Sequence, residues 1–149
     1  MELLARGHAV RGTTRRAESL EELEAAGVEP VLADPDRVVT LVPAFEHVTI
    51  AFVLLASATG APEAVAALHG TRLEMLLTKM LDTTIRGIAY QAAGSLDAEV
   101  LRGGAERVRA TCEDSVIPYA LLRSDPRQAP AEWLEEALAA TDAVLDPAR

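Results

Sequence analysis

Residues 1–16, MELLARGHAVRGTTRR, decide the fold because they join the end of a helix to a strand. Leu3 and Leu4 lie at the end of an amphipathic helix, and Gly7 supplies the left-handed conformation in which many helices end. The run over residues 8–13 then predicts a strand that leads into a basic turn. The first two predicted elements are therefore a helix and the strand that directly follows it.

The same alternation of helices and strands continues along the chain. Helices are predicted over residues 19–26, 62–81 with a break near Gly70, 96–114 and 131–145, and a further one from the turn at residues 34–36 to residue 45. Strands are predicted over residues 28–33, 48–55, 83–90 and 116–123. The alternation predicts a single α/β domain over residues 1–149, with a doubly wound, mainly parallel sheet of about five strands.

Composition narrows the classes of protein to which the chain can belong. The 149 residues are 50% hydrophobic, which is enough for one sizeable core. The single cysteine, Cys112, excludes an intrachain disulfide and is interpreted as a structural thiol in a reducing compartment. No apolar stretch reaches the roughly 18 residues of a membrane span, and the net charge of −9 opposes nucleic-acid binding. We therefore expect a soluble, cytoplasmic protein with no membrane or nucleic-acid partner.

Three segments carry a family resemblance. They are LLARGHAVRGTTRR at residues 3–16, AAGVEPVLAD at residues 25–34 and IPYALLR at residues 117–123. Together they resemble the atypical short-chain dehydrogenases, and in particular the NmrA-like, NAD(P)-binding proteins. The resemblance implies a Rossmann-like fold, in which ligands bind at the carboxyl ends of the strands.

The resemblance also implies that an N-terminal element is missing. Members of the family normally open with a strand and a Gly-x-x-Gly-x-x-Gly turn, whose backbone amides hold the cofactor pyrophosphate. This sequence resembles the family only after that turn, so we expect either an N-terminally truncated member or an incorrectly chosen start at Met1. The missing strand is central in the family's sheet. Its neighbours at residues 8–13 and 48–55 are expected to pair directly, or else exposed apolar surface drives a homodimer.

Thr14, Arg15 and Arg16 are the first candidate cofactor-binding residues. The resemblance places them just past the family's second strand, beside the adenosine ribose. An arginine there pairs with a 2′-phosphate through its planar guanidinium, so the resemblance implies NADP rather than NAD. The alternative is that both arginines are solvated turn residues.

Asp34, Ala56 and Ser57 complete the candidate cofactor site. The resemblance places Asp34 near the adenine, although an aspartate before a proline is also an ordinary turn residue. Ala56 and Ser57 match the small-residue loop through which a cofactor approaches the family's fourth strand. Their alternative interpretation is a tight connection between a strand and a helix.

The catalytic residues are not identified by the sequence, and Ser95 and Gln91 are the candidates for polarising a substrate. Classical short-chain dehydrogenases use a serine with a Tyr-x-x-x-Lys pair, in which the lysine lowers the pKa of the tyrosine. Here the helix after Ser95 contains no tyrosine, and the only lysine, Lys79, lies in the preceding helix. Tyr90 and Tyr119 are interpreted as core aromatic residues.

The histidines do not indicate a metal site. His8, His47 and His69 lack the spacing of metal ligands, and each is interpreted as a surface or strand-end residue. No metal is therefore predicted.

Three functions stay open at this point. The first is an NADP-dependent oxidoreductase acting on a small molecule. The second is a non-redox module that keeps the fold for ligand sensing or protein interaction. The third is a cofactor-free isomerase or cyclase that uses the same pocket at the carboxyl ends of the strands.

Overall fold

The structure is a computed structural model that describes residues 1–146, and the chain divides into two compact units, residues 1–46 and the residues from His47 onward. The strands are β1 Arg11–Thr14, β2 Glu29–Leu32, β3 Ala51–Val53, β4 Ile88–Gln91 and β5 Tyr119–Leu122. The α-helices are α1 Glu2–Ala5, α2 Leu20–Ala25, α3 Pro62–Leu68, α4 Thr71–Leu81, α5 Ala98–Asp114 and α6 Pro130–Leu145. Two 3-10 helices cover Ala17–Ser19 and Val38–Phe45.

The first unit contains a two-stranded parallel sheet. Arg11 of β1 lies opposite Glu29 of β2, and Thr14 lies opposite Leu32 at the other end of the ladder. The connection between the strands runs through α2, which packs against β2. Because the strands are parallel, the segments that follow Thr14 and Leu32 leave the sheet at the same edge.

The first two helices of this unit end where their glycines predict, but a third predicted α-helix has a different form. Gly7 and Gly27 lie just after α1 and α2 in the left-handed region, with φ of 87° and 85°. The helix expected after the turn at Asp34 is instead a 3-10 helix, because Pro43 lacks the amide proton that an α-helical ladder needs there. The Asp34 carboxylate accepts a hydrogen bond from the Asp36 N–H at 2.9 Å, so it stabilises the turn and does not cap the helix.

The second unit contains a three-stranded parallel sheet in the order β3-β4-β5. Ala51 of β3 lies opposite Ile88 of β4, which in turn lies opposite Tyr119 of β5. β4 is the central strand and all of its residues are buried, as expected for a parallel strand that is covered on both faces. α3 and α4 connect β3 to β4, and α5 connects β4 to β5.

The helices of the second unit begin and end close to their predicted positions. The helical pattern over residues 62–81 breaks at Gly70, between α3 and α4, as the sequence predicts. α6 packs against β5. The buried residues of the apolar cluster here are Ala89, Leu122, Ala137 and Ala140, with Phe52, Ala120 and Trp133 packed against them.

The strands of residues 1–146 confirm the predicted α/β class, since all five take part in parallel pairings. The expectation that β1 and β3 pair directly is wrong. β1 forms its ladder with β2, and β3 forms its ladder with β4, so the strands make two sheets. β3 is also shorter than predicted, because only Ala51–Val53 have strand pairing within the apolar run at residues 48–55. No helix in the described part of the chain combines the length and apolarity needed to cross a membrane.

Candidate functional site

Thr14, Arg15 and Arg16 lie at the carboxyl end of β1, where the sequence predicts them. Thr14 is the last residue of the strand, and its hydroxyl oxygen accepts a hydrogen bond from the Arg16 N–H at 3.2 Å. This bond turns the chain out of the sheet. The side chains of Arg15 and Arg16 are exposed, so two guanidinium groups follow one another on the surface at this edge.

Asp34 lies at the same edge of the two-stranded sheet. The Ala33 N–H donates to the Thr14 carbonyl at 2.9 Å, which places the residue after Ala33 beside the end of β1. The Asp34 N–H donates to the Thr40 hydroxyl oxygen at 2.8 Å, and one carboxylate oxygen holds the following turn. Asp34 therefore serves as a turn residue, and its predicted place near an adenine stays a prediction.

Ala56 and Ser57 follow β3 and pack closely against the loop that follows β4. A Cβ at Gly94 would lie 2.7 Å from the Ala56 carbonyl carbon and 2.7 Å from Ser57 Oγ, so only glycine fits between them. The Leu96 N–H donates to the Ala56 carbonyl at 3.1 Å, and the Ser95 N–H donates to Ser57 Oγ at 3.0 Å. The structure thus brings three predicted residues together, Ala56, Ser57 and Ser95.

Gln91 ends β4 and is buried, with 6% of its surface exposed. Its side-chain amide donates to the Ala93 carbonyl at 3.1 Å, so it holds the loop that leads to Ser95. Ser95 is exposed at the same edge. The two candidate catalytic residues therefore share a loop, and the Ser95 hydroxyl is the more accessible of the two side chains.

A buried histidine–tyrosine pair lies next to this edge, and sequence reasoning missed it. His69 is 1% exposed, so its assignment to the surface or to a strand end was wrong. Tyr90 is 0% exposed, which confirms it as a core aromatic residue. The missed signal is the helical spacing in α3, because His69 follows the buried Val65 by four positions and continues its face.

The two ring nitrogens of His69 both have partners. Nδ1 lies 2.5 Å from the Tyr90 hydroxyl oxygen, and Nε2 lies 2.9 Å from the carbonyl oxygen of Leu55. A carbonyl oxygen can only accept, so Nε2 carries the proton and donates to Leu55. In the neutral ring Nδ1 then accepts the Tyr90 hydroxyl proton.

The electrostatics of the pair agree with this assignment of protons. Burial lowers the pKa of His69 below 6.5, and its bond to the Leu55 carbonyl only partly opposes the shift. Burial also raises the pKa of Tyr90 well above 10, although the positive charge of Arg107 opposes that shift. His69 is therefore a neutral imidazole at neutral pH, and Tyr90 is a neutral phenol.

The sequence singles out three other reactive side chains, those of Tyr119, Lys79 and Cys112. The Tyr119 hydroxyl donates to a Glu113 carboxylate oxygen at 2.9 Å, and that bond raises the pKa of Tyr119. Lys79 is exposed on α4. Cys112 is fully buried in α5, and burial raises its pKa to about 11, as expected for the predicted structural thiol. Within residues 1–146, no group of three histidine, cysteine or acidic side chains is arranged to hold a metal ion.

Solved structures share this arrangement of strands and helices. The crystal structure of gox2253 superposes with a TM-score of 0.63 at 18% identity, and the match covers 80% of this chain and 44% of that one. Citrobacter sp. triphenylmethane reductase complexed with NADP(H) gives a TM-score of 0.58 at 22% identity, with 75% and 38% of the two chains covered. A second structure of that reductase gives the same TM-score at 23% identity.

The chain has a Rossmann-like fold. Neither the comparison with protein-family models nor the comparison with curated proteins gives a match. The chain corresponds to less than half the length of each of these solved neighbours, since the matched shares of their chains are 44% and 38%.

Proposed function

We propose that this chain binds NADP(H) through Arg15 and Arg16 and belongs to an oxidoreductase that acts on a small molecule. The observation that carries the proposal is the pair of exposed guanidinium groups directly after β1, at the edge where Rossmann-like folds bind nucleotides. A solved neighbour with the same fold is a reductase complexed with NADP(H). The resemblance of residues 3–16 to the NmrA-like proteins supports the same assignment.

The residues present fit the 2′-phosphate end of such a cofactor. A phosphate monoester carries nearly two negative charges and accepts several hydrogen bonds, and guanidinium groups supply paired donors in a matching plane. The bond between Thr14 Oγ1 and the Arg16 N–H fixes the backbone from which both arginines extend. When bound, NADPH would supply the hydride for a reduction.

The carboxyl edge of the three-stranded sheet is the proposed place for a small-molecule ligand. Ser57 and Ser95 are exposed there, and their loops are held together by the Ser95 N–H bond to Ser57 Oγ. The Ser95 hydroxyl can donate to a substrate carbonyl oxygen, because only the Ser95 backbone is engaged in this contact. We propose Ser95 as the polarising residue and Gln91 as a support for its loop.

A non-redox ligand-binding module is the second candidate function, and one observation favours it. Short-chain dehydrogenases of the classical type need a tyrosine hydroxyl that exchanges a proton with the substrate. In this chain the Tyr90 hydroxyl is buried against His69, and the Tyr119 hydroxyl donates to Glu113. Binding and turnover must therefore be measured separately.

The proposal is tested by titrating the intact protein with NADPH and NADH and following cofactor fluorescence. Arg15→Ala is expected to weaken NADPH binding by roughly tenfold to a hundredfold, because it removes charge-assisted hydrogen bonds to the phosphate. NADH binding should change much less, since NADH lacks that phosphate. The matched control is Arg6→Ala, which removes an arginine that directly follows α1 and pairs with Glu2.

Two outcomes separate the candidates. Saturable NADPH binding with oxidation of NADPH in the presence of carbonyl or dye substrates supports the oxidoreductase. Saturable binding without turnover on any such substrate supports the non-redox module. An absence of saturable NADPH binding below millimolar concentration removes the NADP assignment, as does an equal effect of Arg15→Ala on NADPH and NADH.

A homodimer is also part of the proposal. Large apolar side chains are exposed in both units, among them Val39 at 71% and Val116 at 86%. Light scattering at high micromolar concentration tests it, and a monomeric mass there removes the homodimer.

A further inference from the structure

We infer that His69 and Tyr90 are positioning residues for the loop at residues 55–57, which they hold through the Leu55 carbonyl. The link to ligand binding rests on the proposed function of that loop. The positioning role itself does not depend on any ligand, and a separate experiment tests it.

The argument begins with the place of each partner. Leu55 follows β3, His69 follows α3, and Tyr90 lies in the centre of the sheet on β4. The hydroxyl of Tyr90 donates to His69 Nδ1, and His69 Nε2–H donates to the Leu55 carbonyl. A single imidazole therefore connects the central strand to the loop that leaves the neighbouring strand. Because both nitrogens are used, the ring is held in one orientation and one tautomer.

α5 closes the other side of this cluster. A Cβ at Gly104 would lie 2.7 Å from Tyr90 Cζ and 3.4 Å from His69 Cβ, so glycine leaves the space that the phenol occupies. One turn further along, Arg107 pairs with Glu74 at 3.0 Å, and its guanidinium reaches the His69 carbonyl at 3.5 Å. His69 is thus held through its backbone carbonyl as well as through both ring nitrogens.

The position of Leu55 is passed directly to the residues that follow it. Ala56 is fully buried, and its carbonyl accepts the Leu96 N–H. Ser57 is exposed, and its hydroxyl accepts the Ser95 N–H. A shift of the Leu55 carbonyl would therefore move both acceptors on which the loop after β4 depends. A polar pair that only filled the core would not be connected in this way to the Ser95 and Leu96 amides. This contiguous set of hydrogen bonds therefore indicates a positioning role.

The positioning is tested by amide hydrogen exchange in Tyr90→Phe, which removes only the hydroxyl group. Exchange of the Ser95 and Leu96 amides is expected to become about fivefold faster, the size expected for loss of one net hydrogen bond. The reference amides are Arg86 and Ile88, which donate to Thr49 and Pro118 at the amino ends of the strands. Their exchange should stay as in the unmodified protein.

A matched control distinguishes local positioning from general destabilisation. Val108→Ala removes buried apolar volume from α5 and is expected to raise exchange at all four amides by a similar factor. His69→Gln keeps an amide donor for the Leu55 carbonyl, so it should protect Ser95 and Leu96 better than His69→Ala does. An equal change at both edges in Tyr90→Phe, or no difference between the two His69 variants, overturns the inference.

Ligand binding provides a separate measurement. If the unmodified protein binds one of the carbonyl or dye substrates, Tyr90→Phe should weaken that binding by a factor comparable to the local change in exchange. If the unmodified protein binds none of them, the proposed function of the Ser57 and Ser95 edge fails, while the exchange data still decide the positioning role. Unchanged substrate affinity in a variant with a loosened loop overturns the link between the loop and this ligand.

Discussion

Gly104 of α5 lies against the phenol end of Tyr90, so that a Cβ at residue 104 would come within 2.7 Å of Tyr90 Cζ. Both residues are buried. Gly104 is therefore required by packing, in spite of the cost that glycine has inside a helix.

The neighbouring pair Gly103 and Gly104 should respond in opposite ways to alanine. We expect Gly104→Ala to lower the free energy of unfolding by about 1–3 kcal/mol, because it overpacks the core beside Tyr90. Gly103→Ala should be neutral or stabilising by up to about 1 kcal/mol, since its Cβ would meet only the end of the long Arg107 side chain, at 3.1 Å, and a shift of a few tenths of an ångström relieves that contact. Urea unfolding of the two variants measures the difference, and equal destabilisation would contradict the packing argument.

The stability of the protein should fall in mild acid because of His69. Burial lowers the pKa of this histidine below 6.5, so the unfolded chain accepts a proton at a pH where the folded protein does not. The stabilising contribution is complete above pH 6.5 and is lost as the pH falls through the lower pKa of the folded state.

Urea unfolding curves at several pH values between about 7.5 and 5 check this dependence. His69→Gln should lower the overall stability and reduce its slope with pH. The comparison variant is His47→Asn, because asparagine tolerates the left-handed backbone at this exposed position, where φ is 61°. A slope that persists in His69→Gln would assign the acid sensitivity to another group.

Cys112 should react slowly with thiol reagents in the native protein. The thiol is fully buried and its pKa is raised to about 11, so the reactive thiolate is scarce at neutral pH. Mass spectrometry after treatment with iodoacetamide should show modification only when urea is added. Rapid modification under native conditions would mean that α5 opens locally.

The Arg11 side chain is partly exposed, but we expect it to contribute more to the free energy of unfolding of the first unit than an ordinary surface arginine does. Its guanidinium donates to the carbonyl oxygens of Ala44 and Glu46 at 2.8 and 2.7 Å, and it pairs with Glu29 at 3.2 Å. Arg11→Ala should cost about 1–2 kcal/mol, because these bonds fix the end of the 3-10 helix beside β1. Arg6→Ala should cost less than about 0.5 kcal/mol as an exposed pair, and thermal unfolding compares the two.

Much of the fold could be predicted because the signals are local. Gly7 and Gly70 mark helix boundaries where the structure has them, and the periodicity of residues 96–114 corresponds closely to α5. The failures also have local causes. Pro43 converts an expected α-helix to a 3-10 helix. The apolar run at residues 48–55 shows which residues favour a strand, but it does not show how many of them pair with a neighbouring strand.

The places of the candidate residues at strand ends were predictable, but their hydrogen bonds were not. The segments after Thr14 and around Ser57 and Ser95 follow predicted parallel strands, so each lies at the carboxyl edge of its own sheet. That Asp34 holds its own turn and Gln91 its own loop depends on side-chain orientation, which periodicity does not contain.

The sequence by itself determined the alternation of helices and strands, because hydrophobic period and glycine position act within a few residues. The tertiary structure alone decided which strands share a sheet and which polar groups share the core. His69 and Tyr90 are 21 positions apart, and Gly104 comes against both of them only when α5 folds onto β4. Such pairings are set by the packing of separate elements, because a buried polar group must find its partner wherever the fold places it.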